Sequence, residues 1–157
     1  MALLADAAST DRLGLQLAAA MPASGVVYLR GDLGAGKTSL ARAMLRGLGA
    51  TGPVKSPTYT LIERYPLHGG DAAHLDLYRV AAQSELEFLG LQDLMPEVRL
   101  WLVEWPDHGL RALPPPDLEV VLSIANEGRR IRIDAATAAG RNWLAQMPAV
   151  ADLGPSS

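Results

Sequence analysis

The chain has 157 residues, 49% hydrophobic and 20% charged, with a net charge of −3 and no cysteine. That length suits one domain with a core of its own. The missing thiols exclude a disulfide scaffold, a cysteine nucleophile and any cysteine-ligated zinc or iron–sulfur site. No apolar run approaches the roughly 20 residues of a membrane helix, and the N-terminus lacks a basic start with a long apolar stretch. The expected compartment is therefore the cytoplasm, with no membrane partner. A pI near 5.5 argues against a chain that grips nucleic acid alone, because that affinity comes from neutralising phosphates.

In chain order, Ser9 or Thr10 can cap a first helix, with Leu13 and Leu17 stacked one turn apart and Pro22 beyond its end. Val26 to Leu29 is a short apolar run between glycines, which predicts a buried strand. Lys37 to Leu48 reads as a helix with Leu40, Met44, Leu45 and Leu48 on one face. Thr58 to Tyr65 alternates and is rich in β-formers, so a strand is predicted. His74 to Tyr78 alternates as well, with Leu75 and Leu77 on one side and His74, Asp76 and Tyr78 on the other.

Ser84 and Glu87 form a capping box for a short helix that Gly90 closes. Leu100 to Val103 is a continuous apolar run ending in Glu104, the pattern of a strand covered on both faces. Asp117 to Ile124 and Arg129 to Asp134 alternate around Asn126-Glu127-Gly128 and predict a hairpin. Thr137 to Met147 reads as a final helix. The expectation is a layered α/β domain over residues 1–147, with a mostly parallel central sheet, antiparallel additions and flanking helices. Residues 148–157 read as a flexible tail.

One segment carries chemistry at once. Gly31-Asp32-Leu33-Gly34-Ala35-Gly36-Lys37-Thr38 follows an apolar strand and opens an amphipathic helix. This is the phosphate-binding loop G-x4-G-K-[ST] in its required context. Glycines let successive N–H groups turn toward phosphate oxygens, and the helix adds its positive end. Lys37 can reach the β- and γ-phosphates, and the Thr38 hydroxyl can ligate Mg²⁺. Asp32 to Ser39 are therefore the expected nucleotide contacts. With no Asn-Lys-x-Asp guanine reader, the nucleotide is expected to be ATP or ADP.

Such a loop needs a carboxylate at a neighbouring strand end to hold the Mg²⁺ shell. Glu104 follows four apolar residues, and at the carboxyl edge of the sheet it would lie where ligands bind. Asp76 sits on the polar face of its strand and can orient a water or sense the γ-phosphate. Ser56, Thr58 and Thr60 lie where such proteins carry a switch segment ordered by the γ-phosphate and Mg²⁺. A turn leading into a strand explains that segment equally well. Arg129 and Arg130 are candidates to lie over the base or the phosphates. Trp105 is either core or a partner contact. The three histidines show no metal-ligand spacing.

Four segments agree in order and spacing with one family: GDLGAGKTS from Gly31, KSPTYTLIE from Lys55, HLDLYR from His74 and VEWPD from Val103. They resemble the TsaE (YjeE) family, small bacterial P-loop ATPases of tRNA threonylcarbamoyladenosine synthesis. The likeness runs from the first helix to the final hairpin. It implies a slow ATPase that supports or regulates the partner proteins TsaD and TsaB and meets tRNA only through them. Lys37 and the loop amides match the family's phosphate cradle, Thr38 and Glu104 its Mg²⁺ ligands, and Asp76 its catalytic or switch acid. Trp105 lies in its Glu-Trp pair. Ser56, Thr58, His74 and Tyr78 fall in the segments assigned to switching or partner contact. Arg129 fits the hairpin nucleotide contact better than Arg130, because it directly follows Gly128. Asp107 stands where the family more often has Glu or Gln.

Two rivals remain open on sequence. A small-molecule kinase shares the loop but needs an acceptor pocket and a lid with clustered arginines, and the arginines here are scattered. A non-catalytic module would bind nucleotide without turnover.

Overall fold

The computed structural model describes residues 2–57, 60–80, 90–126 and 128–147. Strand β1 (Ala2–Leu4) leads into helix α1 (Ala7–Ala20), strand β2 (Gly25–Gly31) and helix α2 (Lys37–Gly47). Strands β3 (Ile62–Leu67) and β4 (Gly70–Asp76) follow, then a one-turn helix α3 (Leu91–Leu94) and strand β5 (Val98–Glu104). The chain continues through strands β6 (Leu118–Ala125) and β7 (Gly128–Ala135) into helix α4 (Ala138–Ala145).

The seven strands form one sheet in the order β1-β7-β6-β2-β5-β4-β3. Its centre, β6-β2-β5-β4, is parallel. Antiparallel pairs extend it, through β7 and β1 at one edge and β3 at the other. This is the mixed α/β architecture the sequence predicts.

The central strands are covered on both faces, so β5 is apolar from Leu100 to Val103 and ends in Glu104. On one face Val27, Leu29, Ala72, Leu100 and Leu102 meet Leu13 and Leu17 of α1 and Leu40 and Met44 of α2. On the other, Tyr28, Ala73, Leu75, Trp101 and Val103 pack with Leu91 and Leu113. The two-residue period of a strand then puts His74, Asp76 and Glu104 on the α2 face, in line with Ala72 and Leu102. Helices α1 and α2 lie very close. A methyl group at Gly14 would stand 2.3 Å from the Ala43 Cβ, so the bare α-carbon sets their separation. Helix α4 is held by Trp143, which is buried and donates its indole N–H to the Leu17 carbonyl at 2.9 Å.

Several local expectations are corrected. The cap of α1 is Asp6, whose carboxylate accepts from the Ser9 N–H at 2.9 Å and the Ser9 hydroxyl at 2.8 Å, so Ser9 and Thr10 lie inside the helix. Aspartate caps as well as serine does, and the earlier residue wins because β1 delivers the chain there. The strand expected over 58–65 starts only at Ile62 and runs to Leu67, while Thr58 and Tyr59 lie outside the described residues. Just before β3, the Pro57 carbonyl accepts from the Leu61 N–H at 2.8 Å, and Leu61 is left-handed with φ 67°. The strand expected over 74–78 runs from Gly70 to Asp76, because it pairs with β3 as a hairpin through His68-Gly69. Tyr78 therefore stands beyond the sheet, exposed. The capping box at Ser84 and Glu87 and the tail from Pro148 lie outside the described residues, as does Glu127 in the second hairpin. Among the described residues no helix is long and apolar enough to cross a membrane.

Candidate functional site

Strand β2 ends at Gly31 and α2 begins at Lys37, so the loop between them lies at the carboxyl edge of the parallel strands. Gly34 and Gly36 are left-handed, with φ of 80° and 106°, a conformation that strains any L side chain. No side chain caps the first turn of α2. Its leading N–H groups are thus free for an anion, and the helix dipole favours one there.

Lys37 is only 4% exposed. Its Nζ donates to the carbonyls of Gly31 at 2.5 Å and Asp32 at 2.9 Å, and sits 4.5 Å from the centre of the Trp105 ring. Burial pushes its pKa down, against the upward pull of Glu104, Asp76 and Asp32. The ammonium is therefore held at the mouth of the loop by neutral oxygens and a ring face, groups that a phosphate oxygen outcompetes.

At the end of β5, Glu104 is buried and receives two side chains. The Thr38 hydroxyl donates to its two oxygens at 2.9 and 3.0 Å, and His74 Nε2 lies 2.6 Å from Oε2. Asp76 stands opposite Glu104 in the β4–β5 register and accepts the Tyr78 N–H at 3.1 Å. Burial raises the Asp76 carboxyl above the ordinary range; the Tyr78 N–H lowers it, and the Glu104 charge adds to the rise. One main-chain bond, from the Leu77 N–H to the Glu104 carbonyl at 3.1 Å, ties the two strand ends together.

Trp105 leaves β5 in the left-handed conformation with φ 56° and is partly buried. Its ring lies 4.9 Å from Tyr78 and 6.0 Å from His108. The turn that follows is pinned by Asp107, 2.6 Å from Arg30, which also pairs with Glu119 at 3.1 Å. Asp107 thus serves as an acceptor for Arg30.

Two cavities meet at the loop. One of about 240 Å³ is lined by Leu33, Lys37, Thr38, Asp76, Glu104 and Trp105. The other, about 330 Å³, is lined by Leu4, Asp6, Thr10, Asp11 and Arg129. Gly34, Gly36 and Ser39 line both. Of the two hairpin arginines, only Arg129 reaches this space; Arg130 is exposed and lines a separate hollow with Leu3 and Ile124.

The structure thus brings together Leu33, Gly34, Gly36, Lys37, Thr38, Ser39, Asp76, Glu104, Trp105 and Arg129. Ala35 is buried beneath the loop, with its N–H on the Asp32 carbonyl at 3.1 Å, and Asp32 is exposed at the rim. Ser56 is exposed, and Thr58 lies outside the described residues. Lys55 just before them is tethered by the Tyr65 hydroxyl, which accepts its N–H at 3.1 Å. His74 is fully buried against Glu104. Sequence reasoning missed the wall built by Leu4, Asp6 and Thr10. The only available signal was Asp6 itself, three residues before Ser9 and competent as a cap.

The family model for "Threonylcarbamoyl adenosine biosynthesis protein TsaE" matches residues 4–132. A Haemophilus influenzae protein named tRNA threonylcarbamoyladenosine biosynthesis protein TsaE is 47% identical over 117 residues, covering 74% of each chain. A Nostoc protein of the same name is 38% identical over 133 residues, covering 81% of this chain and 80% of its own. The crystal structure of Bacillus subtilis YdiB superposes with a TM-score of 0.69 at 28% identity, covering 87% of this chain and 85% of that one. The fold accords with that solved structure, and the chain belongs to the TsaE family.

Proposed function

We propose that this protein is a Mg²⁺-dependent ATPase that turns over slowly and serves tRNA threonylcarbamoyladenosine synthesis in the cytoplasm, stimulated by TsaD and TsaB. The pathway comes from the names its relatives carry. The observation that carries the ATPase reading is the convergence of Lys37, Thr38, Glu104 and Asp76 on one cavity at the uncapped start of α2.

In this reading the loop amides and Lys37 hold the β- and γ-phosphates, and the charge they neutralise is the charge that grows during phosphoryl transfer. The nucleoside lies in the larger cavity, between the start of α1 and Arg129. The hydroxyl and carboxylate of Thr38 and Glu104 are hard oxygen donors already in contact, a set suited to Mg²⁺. Held by Thr38 and Glu104, Mg²⁺ would supply positive charge to offset the negative charge of the phosphates. Asp76, with its raised proton affinity, is the candidate to orient and accept a proton from the attacking water. Glu104 is occupied by Thr38 and His74, which leaves Asp76 the freer of the two acids.

The decisive experiment is an ATPase assay of the protein alone and with TsaB and TsaD added. Slow turnover that rises with both partners supports the reading. Binding with no turnover in either condition returns the non-catalytic module. ATP-dependent phosphorylation of a small acceptor without partners returns the kinase.

A further inference from the structure

We propose that His74 is a positioning residue for the metal site: it holds the Glu104 carboxylate at the angle from which Thr38 and Glu104 together meet Mg²⁺. The inference rests on the ATP–Mg²⁺ reading above and adds to it a residue that never touches the ligand.

Both partners are withdrawn from water, His74 at 0% and Glu104 at 3% side-chain exposure, with Nε2 and Oε2 2.6 Å apart. Glu104 Oε2 is an acceptor, so the imidazole proton is assigned to Nε2. The other ring nitrogen, Nδ1, is buried and has no hydrogen-bond partner among the described residues. A buried polar atom without a partner is rare in native proteins and calls for a reason. Packing is not that reason, since an apolar side chain would fill the same space without orphaning a nitrogen. What the imidazole supplies is a single directed donor aimed at Glu104.

The donor's base is rigid. His74 lies in the middle of β4, paired in register with Leu102 of β5, while Glu104 is the last residue of its strand. Glu104 has three torsions between its backbone and its oxygens, and Thr38 can turn about one. The Thr38 hydroxyl can give its proton to Glu104 while offering a lone pair to a cation, but only if the carboxylate stays put. His74 is the fixed member of the three. It also sits two residues before Asp76 on the same face, so one strand sets both the carboxylate's orientation and the second acid. Partners of this kind, hydrogen-bonded to a metal's ligands, are worth about 10- to 100-fold in metal affinity.

The test reads binding rather than turnover. A fluorescent ATP analogue is titrated into the full-length protein with Mg²⁺ and with EDTA, for wild type, His74→Leu, His74→Gln and His74→Asn. Glutamine can place an amide N–H near the Nε2 position, whereas asparagine places it nearer Nδ1. The expected result is that His74→Leu and His74→Asn lose about 10-fold or more of the strengthening that Mg²⁺ confers, while binding in EDTA stays within about twofold. His74→Gln should recover most of the loss. Equal losses with and without Mg²⁺ mark a merely structural role and overturn the proposal, as does a His74→Leu protein that matches wild type. If His74→Leu does not fold, the contrast between Gln and Asn decides: equal metal responses in that pair overturn it. A wild-type protein that binds the analogue with no gain from Mg²⁺ sinks the ATP–Mg²⁺ reading and this proposal with it; a wild-type gain that all three variants keep sinks this proposal alone.

Discussion

Replacing Gly14 by alanine tests whether the spacing of α1 and α2 is what shapes the site. The new methyl carbon would lie 2.3 Å from the Ala43 Cβ, with α2 backbone atoms, Met44 N and Ala43 C, at 3.1 and 3.2 Å. Carbon atoms rest at about 3.5–4.0 Å, so the helices must part by more than about 1 Å. Overpacking of this kind costs about 1–3 kcal/mol, and contact with backbone argues for the upper end. Alanine recovers about 1 kcal/mol through helix propensity. The net loss is about 2 kcal/mol, a fall in Tm of about 4–8 °C for a domain this size. Urea unfolding of the single variants and the Gly14→Ala/Ala43→Gly double variant gives the coupling directly, since the swap returns the missing space. The slope m should not change. Asp6, the cap of α1, and Thr10 in its first turn line the larger cavity with Gly36 and Ser39 at the start of α2, so Gly14→Ala should also weaken nucleotide binding. A Gly14→Ala protein as stable as wild type, or a cycle with no coupling, would refute the argument.

Four further outcomes are expected. Lys37→Ala should abolish tight ATP binding by calorimetry, because it removes the cation at the phosphates; unchanged affinity counts against the loop reading. Glu104→Ala should weaken binding with Mg²⁺ more than binding in EDTA, and equal losses would make it a structural strand-end acid. Arg129→Ala should raise the Kd for ATP by about 10-fold, on the order of one charge-assisted hydrogen bond, while Arg130→Ala leaves it unchanged; the reverse order would move the nucleoside elsewhere. Asp76→Asn should slow hydrolysis yet stabilise the nucleotide-free protein near neutral pH. The folded protein holds the Asp76 proton more tightly than the unfolded chain, so this group's contribution falls as pH rises through its folded pKa and its cost stays in full above. Denaturation at about pH 7.5 and about pH 4 should show the gain shrinking in acid; a gain that grows in acid would contradict the sign.

The loop at the strand–helix junction was legible because it depends on local spacing. A phosphate loop is one turn between a strand and a helix, so glycines, lysine and threonine in eight residues specify it with no distant partner. Glu104 was legible for a related reason: an apolar run buried on both faces must end in its first polar residue at the sheet's edge. The strand expected from Thr58 was misplaced because its alternation begins before the chain is free to extend. The Leu61 N–H is bonded to the Pro57 carbonyl at 2.8 Å and the Asp76 N–H to the Leu61 carbonyl at 3.0 Å, so β3 begins only at Ile62.

By itself the amino-acid order determined the loop, the two acids, the α/β layering and the family. Tertiary structure alone decided which groups meet across the sheet. His74 lies 30 residues from Glu104 and reads as one polar position in an alternating strand. Strand β1 has three residues and no pattern of its own, yet pairing with β7 places Leu4 and Asp6 against Arg129 as a wall of the larger cavity. Period and composition report which face a side chain takes. They do not report which strand lies alongside, because that depends on how the whole sheet closes its hydrogen bonds and buries both of its faces.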